Sequence, residues 1–424
     1  MNSKYNNTSY GRSIDWFTIL IYSALVVLGW MAVYSSTYNI TGINYIFDLS
    51  KNYGKQMMFI GIAALIALMI MTVEYRFFFG FSYFIYATVI VLLIAVLVLG
   101  DHTKGAQAWF KIGEFKIQPS EFAKFATALA FAKFLSPFNF KLTDSKNLWK
   151  AVAIVAVPAL LVLVQNDTGT FLVFIFFSLV FYREGLNGLF LAIGAIVMVL
   201  CIAALLVKTE LLYIILTSLS LITFMLFRGY KKLWWIIVIV WISSMGIVST
   251  TSYGLKHLQP HQQKRILSLF GLEVDKSGVD YQKDNSLMAI SSGGFSGKGY
   301  LEGSITKGKY VPEQSTDFIF CTIAEEFGWM GSLSVISLFM LLILRIIYLS
   351  ERQRSRYNRV YGYSVACIIF SHFLINMGMA MGLLPIIGIP LPFISYGGSA
   401  TLSFTILLFI FVKIDSHRMQ DLSR

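Results

Sequence analysis

Charged residues are scarce in this chain, and their scarcity indicates its class. Only 13% of the 424 residues are Asp, Glu, Lys or Arg, whereas 57% are hydrophobic. Soluble globular proteins average about a quarter charged residues. The deficit extends along the whole chain, because long apolar runs recur from one end to the other. The composition therefore excludes an ordinary soluble domain and predicts a membrane protein.

Cysteine and histidine are also rare, which limits the sites that the chain can build. Cys201, Cys321 and Cys367 lie in separate apolar segments, and an odd number of dispersed thiols gives no disulfide framework. The five histidines form no cluster of metal ligands in the sequence. A zinc site is therefore not expected.

Apolar runs long enough to cross a membrane dominate the sequence. A spanning helix needs about 20 predominantly apolar residues. The first run is too long for the hydrophobic region of a signal peptide, so we interpret it as a span. We expect an all-α, polytopic membrane domain over 1–424 with about twelve spans. The runs are 14–34, 56–73, 77–99, 120–135, 150–166, 169–182 (a short one), 186–207, 211–227, 233–253, 317–344, 360–382 and 397–412.

The distribution of lysine and arginine predicts the orientation. If the N-terminus is cytoplasmic and the spans alternate, the cytoplasmic segments hold eighteen of these residues and the short outer loops hold six. Cytoplasmic loops of membrane proteins carry this kind of excess. We therefore expect both termini in the cytoplasm and a large extracytoplasmic loop at 254–316. Topology then explains the net charge of +12, and no nucleic-acid partner is expected.

Asp167 is an acidic residue at the edge of the membrane, which makes it a candidate for function. The fifth run reaches it about seventeen residues after Lys150, or roughly 25 Å at 1.5 Å per residue, close to the hydrocarbon thickness. Acidic residues at membrane depth are rare and usually functional. The alternative is that Asn166, Asp167 and Thr168 form a polar turn that caps the next helix.

A second candidate is the amphipathic stretch 104–125, which leads into a helix at Pro119 and Ser120. Proline in the first turn and a nearby serine are ordinary features of a helix start. Lys124 lies one turn into this helix. It either extends along apolar surface to the interface or faces a phosphate group.

The stretch 291–320 is rich in glycine, but it does not have the spacing of a nucleotide-binding loop. Gly293 and Gly297 are one residue closer together than that motif requires, so ATP binding is excluded. Asp317 opens the next run, where the dipole of a helix N-terminus favours its charge. Glu325 and Glu326, about two turns deeper, form either a buried polar network or part of a site.

Together these stretches resemble the shape, elongation, division and sporulation family of membrane proteins. GLLPIIGIPLPFISYGGSA at 382–400 is similar to its C-terminal signature, and its three prolines and Gly-Gly pair exclude a continuous helix. GAQAWFKIG with QPSEFAK, QNDTG, and GGFSGKG with VPEQSTDFIF and AEEFGWMG match the family's other motifs in order. The match covers nearly the whole chain. DWFTILIYSALVVLGWMAVYSS near the N-terminus is closer to the elongation type than to the division type.

The resemblance implies a glycosyltransferase that polymerises lipid II, the lipid-linked peptidoglycan precursor, at the outer face of the bacterial inner membrane. The family's essential aspartate falls on Asp167. Its implied role is the general base that takes the proton of the acceptor's 4-hydroxyl during attack on the donor's anomeric carbon. The leaving group is undecaprenyl pyrophosphate, so cations are needed near the charge that develops on it.

The matched motifs imply further site residues. Lys124 is the best match for a phosphate-facing cation, Lys55 stands where the family commonly has arginine, and Trp109 is a surface on which a sugar can stack. The other residues implied in substrate binding are Gln118, Ser120, Glu121, Asp317 and Glu325.

The resemblance also implies partners. They are a class B penicillin-binding protein, a transpeptidase that crosslinks the new strands, and other membrane proteins of the elongation complex. No cofactor is required by the sequence. A divalent cation, Mg²⁺ or Mn²⁺, that bridges the pyrophosphate is a hypothesis, because carboxylates and phosphates favour these ions.

Three departures from the family pattern stand out. Asn166 replaces the usual proline before the aspartate, which predicts a looser turn. Ala108 stands where arginine usually precedes the tryptophan. The stretch 208–253 has room for an extra helix pair, at about 211–227 and 233–253, beyond the family's ten spans.

Two other function classes stay open. A transporter that flips lipid II would have internal repeats and a site near the bilayer midplane. No repeat is visible, and Asp167 lies near the outer face. A non-catalytic scaffold would not need the carboxylate and the cations. Within the family, a division-type polymerase is a further alternative.

Overall fold

The structure, a computed structural model, describes residues 14–38, 45–103, 106–113, 115–257 and 279–418, with single positions at 263, 265 and 267. Lys104 and both chain ends therefore lie outside the described residues. So does most of the stretch 258–278, which belongs to the predicted loop 254–316. The chain divides into two compact units. The smaller consists of Leu186–Tyr281, and the larger consists of the residues on either side.

The larger unit contains every motif singled out above. Its elements in chain order are α1 (Trp16–Thr37), α2 (Asn52–Thr72), α3 (Tyr75–Leu99), β1 (Asp101–Thr103), β2 (Ala106–Ile112), β3 (Phe115–Ile117), α4 (Pro119–Leu135), α5 (Ser145–Val164), α6 (Thr168–Ile175) and α7 (Phe177–Arg183). After the smaller unit come α11 (Val279–Ser292), which starts at the boundary, α12 (Ser304–Lys307), α13 (Ile319–Glu351), α14 (Arg356–Ala380) and α15 (Gly398–Ser416).

The smaller unit is formed mainly by three apolar helices. They are α8 (Leu189–Leu206), α9 (Thr209–Leu226) and α10 (Lys231–His257). A small core of Ala204, Leu212 and Val248 joins them, and Tyr213 Oη lies 2.7 Å from Ser249 Oγ. The predicted extra pair corresponds to α9 and α10. Most of their side chains are exposed, as expected for helices surrounded by lipid.

Ten helices in the described chain are long and apolar enough to cross a membrane. They confirm the all-α, polytopic prediction. The two remaining predicted runs are shorter helices: α4 has 17 residues, and the run 169–182 is divided into α6 and α7 at Phe176. The stretch expected as an outer loop instead contains β1, β2 and β3, an antiparallel sheet that is the only sheet in the described residues.

α14 and α15 form the centre of the larger unit. In an apolar stretch of 18 residues in each of these helices, 89% and 83% of the residues are buried, against 22–39% in the other spans of that unit. α14 packs against α4 and α13, and α15 packs against α2. Polar side chains on α14 and α15 are therefore held inside protein rather than against lipid, where an unpartnered polar group is costly.

The segment from Met381 to Gly397, which we call the proline segment, is irregular, and its part 391–395 is buried against α1. A Cβ atom at Gly29 would lie only 2.5 Å from Ile394 Cα, so the glycine permits this close approach. Phe393 has a φ of 65°, and Ser395 Oγ donates to Thr316 O at 2.6 Å. The break in the helix that the sequence predicts is therefore present, and the irregular backbone of 391–395 is buried in protein.

The glycine-rich stretch has a packing role. α13 is broken at Gly328, whose φ and ψ are 62° and −153°. Gly297 packs against this break: a Cβ atom there would lie 2.0 Å from Glu326 O. Trp329 N donates to Gly294 O at 2.9 Å. These glycines allow two backbones to meet, which agrees with the exclusion of a nucleotide loop.

The connecting segments of the larger unit collect at two ends. At one, the Asp167 end, Gln107 N donates to Gln165 O at 3.1 Å and Tyr396 N donates to Ser315 O at 2.9 Å. The other, the Glu184 end, contains the predicted cytoplasmic segments, including 136–144, 184–185, 352–355 and 416–418. There Arg356 binds both Glu184 and Phe140 O.

Candidate functional site

The turn before Asp167 is a tight helix C-cap. Asn166 follows the C-cap residue Gln165 with a left-handed φ of 60°. Its amide donates to Leu163 O and that of Asp167 donates to Val162 O, which is the pattern of a Schellman motif. Asparagine adopts left-handed backbone more readily than most residues. The turn therefore has a defined, hydrogen-bonded geometry without the proline, and its loosening stays a prediction.

Three neutral donors hold the carboxylate of Asp167. Oδ1 accepts from Thr170 N at 3.0 Å, so Asp167 is the N-cap of α6, as one of the two sequence interpretations predicts. Oδ2 accepts from Gln118 Nε2 at 2.8 Å and from Ser120 Oγ at 2.9 Å. An ionised carboxylate has about four acceptor positions. Among the described residues one position therefore stays open on a half-buried side chain, and the cap does not exclude a chemical role.

The proline segment passes between Asp167 and Asp317. A Cβ atom at Gly169 would lie 2.8 Å from Ile389 Cγ1, whereas one at Gly388 would lie 3.3 Å from Asp317 Oδ2. Gly388 has a left-handed φ of 80°, so the backbone of the segment turns at this residue. The proline segment thus packs on the first turn of α6 through Ile389 and meets the carboxylate of Asp317 at Gly388.

Asp317 lies before its helix rather than in the first turn. α13 begins at Ile319 with Phe318 as its N-cap, and no side-chain cap is made there. The backbone of Asp317 is fixed by Asn376, whose Nδ2 donates to Asp317 O at 2.8 Å. The carboxylate is beside Gly388 instead. The predicted interaction with the helix N-terminus therefore does not account for the position of this side chain.

Lys124 is buried among polar and aromatic partners. Only 1% of the residue is exposed. Its Nζ donates to Glu121 Oε2 at 2.7 Å, lies 2.9 Å from His372 Nε2, and is 4.5 Å from the centre of the Phe404 ring. The interpretation that Lys124 extends to the interface is therefore wrong. Whether it acts on a phosphate stays a prediction.

Lys55 lies in the first turn of α2, next to a residue that anchors the proline segment. Gln56 Nε2 lies 3.4 Å from Ser395 O, and Gln56 Oε1 accepts from Gly397 N at 3.3 Å. Lys55 is half-buried. The structure therefore places this lysine at the Asp167 end, where a cation was predicted.

Trp109 lies on β2, which joins the turn of Asp167 through the hydrogen bond from Gln107 N to Gln165 O. The indole is half-buried, and Ala108 beside it is fully buried. The sheet thus positions Trp109 near the C-terminal end of α5. Its proposed stacking role stays a prediction.

Glu325 has a structural explanation. It is fully buried, and it accepts from Lys298 Nζ at 2.7 Å, Ile305 N at 2.9 Å and Thr306 N at 2.8 Å. The neighbouring Glu326 accepts from Leu301 N at 3.1 Å. The pair holds the loop before α13 in place. Of the two sequence interpretations, the structure supports the buried polar network.

Three further residues belong to this site and were not identified in the sequence. His372 and Asn376 lie one turn apart on α14, and both bond the backbone of the proline segment. Ser399 Oγ accepts from Gln118 N at 3.1 Å and so joins α15 to the start of α4. Polar residues recurring every four positions in an apolar helix were the available signal.

Comparison with known proteins places the chain in a family. The sequence model of FtsW, RodA and SpoVE, described as cell cycle proteins, matches residues 15–211 and 182–420. The chain belongs to this family. It is therefore a multi-pass membrane protein of the bacterial inner membrane, as the helices and the resemblance together predict.

Two curated relatives are similar over almost their full lengths. The peptidoglycan glycosyltransferase MrdB of Escherichia coli K12 is 29% identical, over 96% of this chain and 94% of the relative. The peptidoglycan glycosyltransferase RodA of Treponema pallidum is 30% identical, over 96% of this chain and 98% of the relative.

Two solved structures share the fold. One is a chain from a study of how a peptidoglycan synthase complex coordinates polymerization and crosslinking, with a TM-score of 0.69 and 23% identity; 96% of this chain and 99% of that chain are covered. The other is an aspartate-to-alanine variant of the Thermus thermophilus rod shape determining protein RodA, with a TM-score of 0.62, 22% identity and the same coverage.

Proposed function

We propose that this chain is a peptidoglycan glycosyltransferase that polymerises lipid II at the outer face of the inner membrane during cell elongation. One observation carries the proposal. The proline segment packs on Gly169, two residues after Asp167, and meets the carboxylate of Asp317 at Gly388, in a chain whose similar relatives are named peptidoglycan glycosyltransferases. The positive-inside distribution supports an outward-facing Asp167 end and cytoplasmic termini.

In this proposal a carboxylate beside the proline segment removes the proton of the acceptor's 4-hydroxyl. The hydroxyl oxygen forms a bond to the donor's anomeric carbon, and the bond from that carbon to the pyrophosphate oxygen breaks. Asp167 is the base predicted from the sequence, and its open acceptor position on Oδ1 supports the role. Its other positions are occupied by Gln118, Ser120 and Thr170.

Asp317 is the competing base, and the geometry favours it in one respect. Asp167 caps α6, whereas the carboxylate of Asp317 lies against Gly388 of the proline segment. Either residue is half-buried and can meet substrate. The two assignments predict different variants to be inactive.

Undecaprenyl pyrophosphate leaves with added negative charge, which nearby cations stabilise. Lys55, half-buried at the Asp167 end, supports direct contact with this group. Lys124 is buried, so it supports the reaction through its field or after its partners move. A cation held without water interacts more strongly than one in solvent.

A divalent cation fits this proposal only as a bridge between substrate and protein. Within the described residues, no group of three or more His, Cys, Asp or Glu side chains could hold a metal ion. Mg²⁺ is commonly bound by one or two carboxylates together with phosphates. Polymerisation that persists after exhaustive chelation would exclude the bridge.

The proposed partner is a class B penicillin-binding protein, because one solved neighbour comes from a complex that couples polymerization to crosslinking. Other membrane proteins of the elongation complex are proposed on the family resemblance. A division-type role is the alternative within the family.

The test is synthesis of glycan strands from purified lipid II by the purified protein with its cognate transpeptidase. We expect polymer from the wild type and none from Asp167→Asn if Asp167 is the base. Transport of a fluorescent lipid II across vesicles, measured in parallel, separates the transporter alternative. A folded wild-type complex that moves lipid II but makes no polymer would contradict the proposal.

A further inference from the structure

His372 connects the buried cation of the site to the proline segment. It lies on α14 and is 1% exposed. Its Nδ1 is 3.1 Å from Pro390 O, and its Nε2 is 2.9 Å from Lys124 Nζ. The imidazole therefore touches a backbone carbonyl on one side and an ammonium group on the other.

These two contacts are satisfied by a single protonation state. The carbonyl of Pro390 only accepts, so Nδ1 must carry a proton. The ammonium of Lys124 only donates, so Nε2 must offer its lone pair. The neutral imidazole protonated at Nδ1 meets both requirements. A doubly protonated ring would place an N–H against the ammonium.

Groups from three other elements surround the ring. Lys124, itself bonded to Glu121, approaches from α4, the Phe404 ring lies perpendicular to the imidazole from α15 at 4.8 Å between centroids, and Pro390 O comes from the proline segment. One turn further along α14, Asn376 Nδ2 donates to Ile389 O at 2.7 Å and to Asp317 O at 2.8 Å. One face of α14 thus holds two consecutive carbonyls of the proline segment.

We propose that His372 is a positioning residue for the polymerase reaction. As a neutral acceptor it fixes the ammonium of Lys124 relative to the proline segment, which meets the carboxylate of Asp317 and packs on the first turn of α6 after Asp167. The inference rests on the proposed function. An ordinary core histidine would need only partners that satisfy it, whereas this one orients a buried charge. Fixed orientation of a charge is what electrostatic stabilisation of a transition state requires.

The test compares two substitutions at this position. The amide of glutamine can accept from Lys124 and donate to Pro390 O, whereas leucine can do neither. We expect His372→Leu to lower the polymerisation rate per folded molecule about tenfold, the effect of losing a hydrogen bond to a charged group, and His372→Gln to stay within about threefold of wild type. Ser371→Ala is the matched control, since Ser371 is buried next to His372 in the helix and its hydroxyl, among the described residues, bonds Ile368 O of its own helix.

Two readouts separate positioning from a merely structural role. The pH–rate profiles of wild type and His372→Gln should be parallel between pH 6 and 8, because a fixed neutral acceptor does not titrate. The ¹⁵N spectrum of labelled histidine should contain one neutral ring protonated at Nδ1 whose Nε2 signal shifts in Lys124→Met. A His372→Leu protein as active as wild type would overturn the proposal. So would an ionisation that is present in the pH–rate profile of the wild type and absent from that of His372→Gln.

The spectrum also separates this inference from the proposed function. If the wild type makes no polymer, the polymerase proposal fails. The Nε2 signal of the imidazole then tests the contact between His372 and Lys124 independently of activity. If Lys124→Met leaves that signal unchanged, the positioning proposal is overturned.

Discussion

The two ends of the larger unit treat charge in different ways. At the Glu184 end, acids meet arginines directly: Glu184 accepts from Arg356 Nε at 2.9 Å and from Arg359 Nε at 3.2 Å, and Asp415 accepts from Arg352 at 2.7 Å. At the Asp167 end, the three hydrogen-bond donors to the Asp167 carboxylate in the described part of the chain are neutral.

The difference indicates where chemistry can occur. An acid matched by arginine has its charge compensated and its position locked, which serves structure. A carboxylate held by neutral donors, as Asp167 is among the described residues, accepts no hydrogen bond from a cation and can still meet a substrate. Two acids outside the Glu184 end depart from this rule: Glu121 pairs with Lys124, which also uses a neutral imidazole, and Glu325 pairs with Lys298. The comparison predicts that changes at the Asp167 end reduce rate and that changes at the Glu184 end reduce stability.

The largest effect is expected for Lys124→Met. Removing one preorganised group that stabilises transition-state charge typically costs 10²–10³ in rate, so we expect about a hundredfold or greater loss of polymer per folded molecule. Lys413→Met is the control. Lys413 is as buried as Lys124, but it lies at the Glu184 end and donates to Met71 O. A Lys413 variant with the larger loss of specific activity would break the comparison.

Glu184→Gln should mainly lower stability. Breaking a buried ion pair costs about 3–5 kcal/mol, and we expect about 3 kcal/mol here because both arginines keep some access to water. Thermal unfolding in detergent checks the change, and polymer formed per folded molecule should equal that of wild type. A strong loss of specific activity without loss of stability would contradict this assignment.

Gly29→Ala tests how closely α1 must approach the proline segment. The new Cβ atom would lie 2.5 Å from Ile394 Cα, which is backbone and cannot rotate away. Overpacking of this kind costs about 1–3 kcal/mol, and the displaced segment should also lower the rate. Gly61→Ala on α2 has nothing within 4 Å and should be neutral or slightly stabilising. Equal melting temperatures for the two variants would contradict the packing.

The smallest effect is expected for Asp15→Asn. Burial raises the pKa of Asp15, but hydrogen bonds from Arg345 and Thr18 outweigh burial and leave the pKa below its ordinary value. A lowered pKa contributes stability above the unfolded value near pH 4, and that stability is lost as pH falls through the folded pKa. We expect a loss of about 1.5 kcal/mol at pH 7, less than for Glu184→Gln because one arginine rather than two loses its charged partner. The free energies of unfolding of wild type and variant, measured from pH 7 to 3, should converge as the pH falls. A difference that stays constant with pH would contradict this prediction.

The sequence predicted the spans well because each depends on a local run of apolar residues. It also predicted that Asp167 could cap a helix, since capping is a short-range pattern. It could not predict that Gln118 and Ser120 reach Asp167, because those contacts join residues 49 and 47 positions apart. The burial of Lys124 depends on His372, 248 positions away, so interfacial exposure was an equally good expectation.

The sheet at 101–117 was missed for a different reason. Its strands are three to seven residues long, too short for alternation to give a signal. The predicted run began at Asp317, whereas α13 begins at Ile319. Helix boundaries are what sequence patterns place least accurately.

The most direct test of the account compares three variants, Asp167→Asn, Asp317→Asn and Glu184→Gln, in lipid II polymerisation by the purified complex, with each rate divided by the folded fraction. A general base contributes about 10²–10⁴ in rate. We predict a loss of this size for at least one aspartate at the Asp167 end and none for Glu184→Gln. Full polymerisation by both aspartate variants, or a loss of that size confined to Glu184→Gln, would contradict the assignment of chemistry to the Asp167 end.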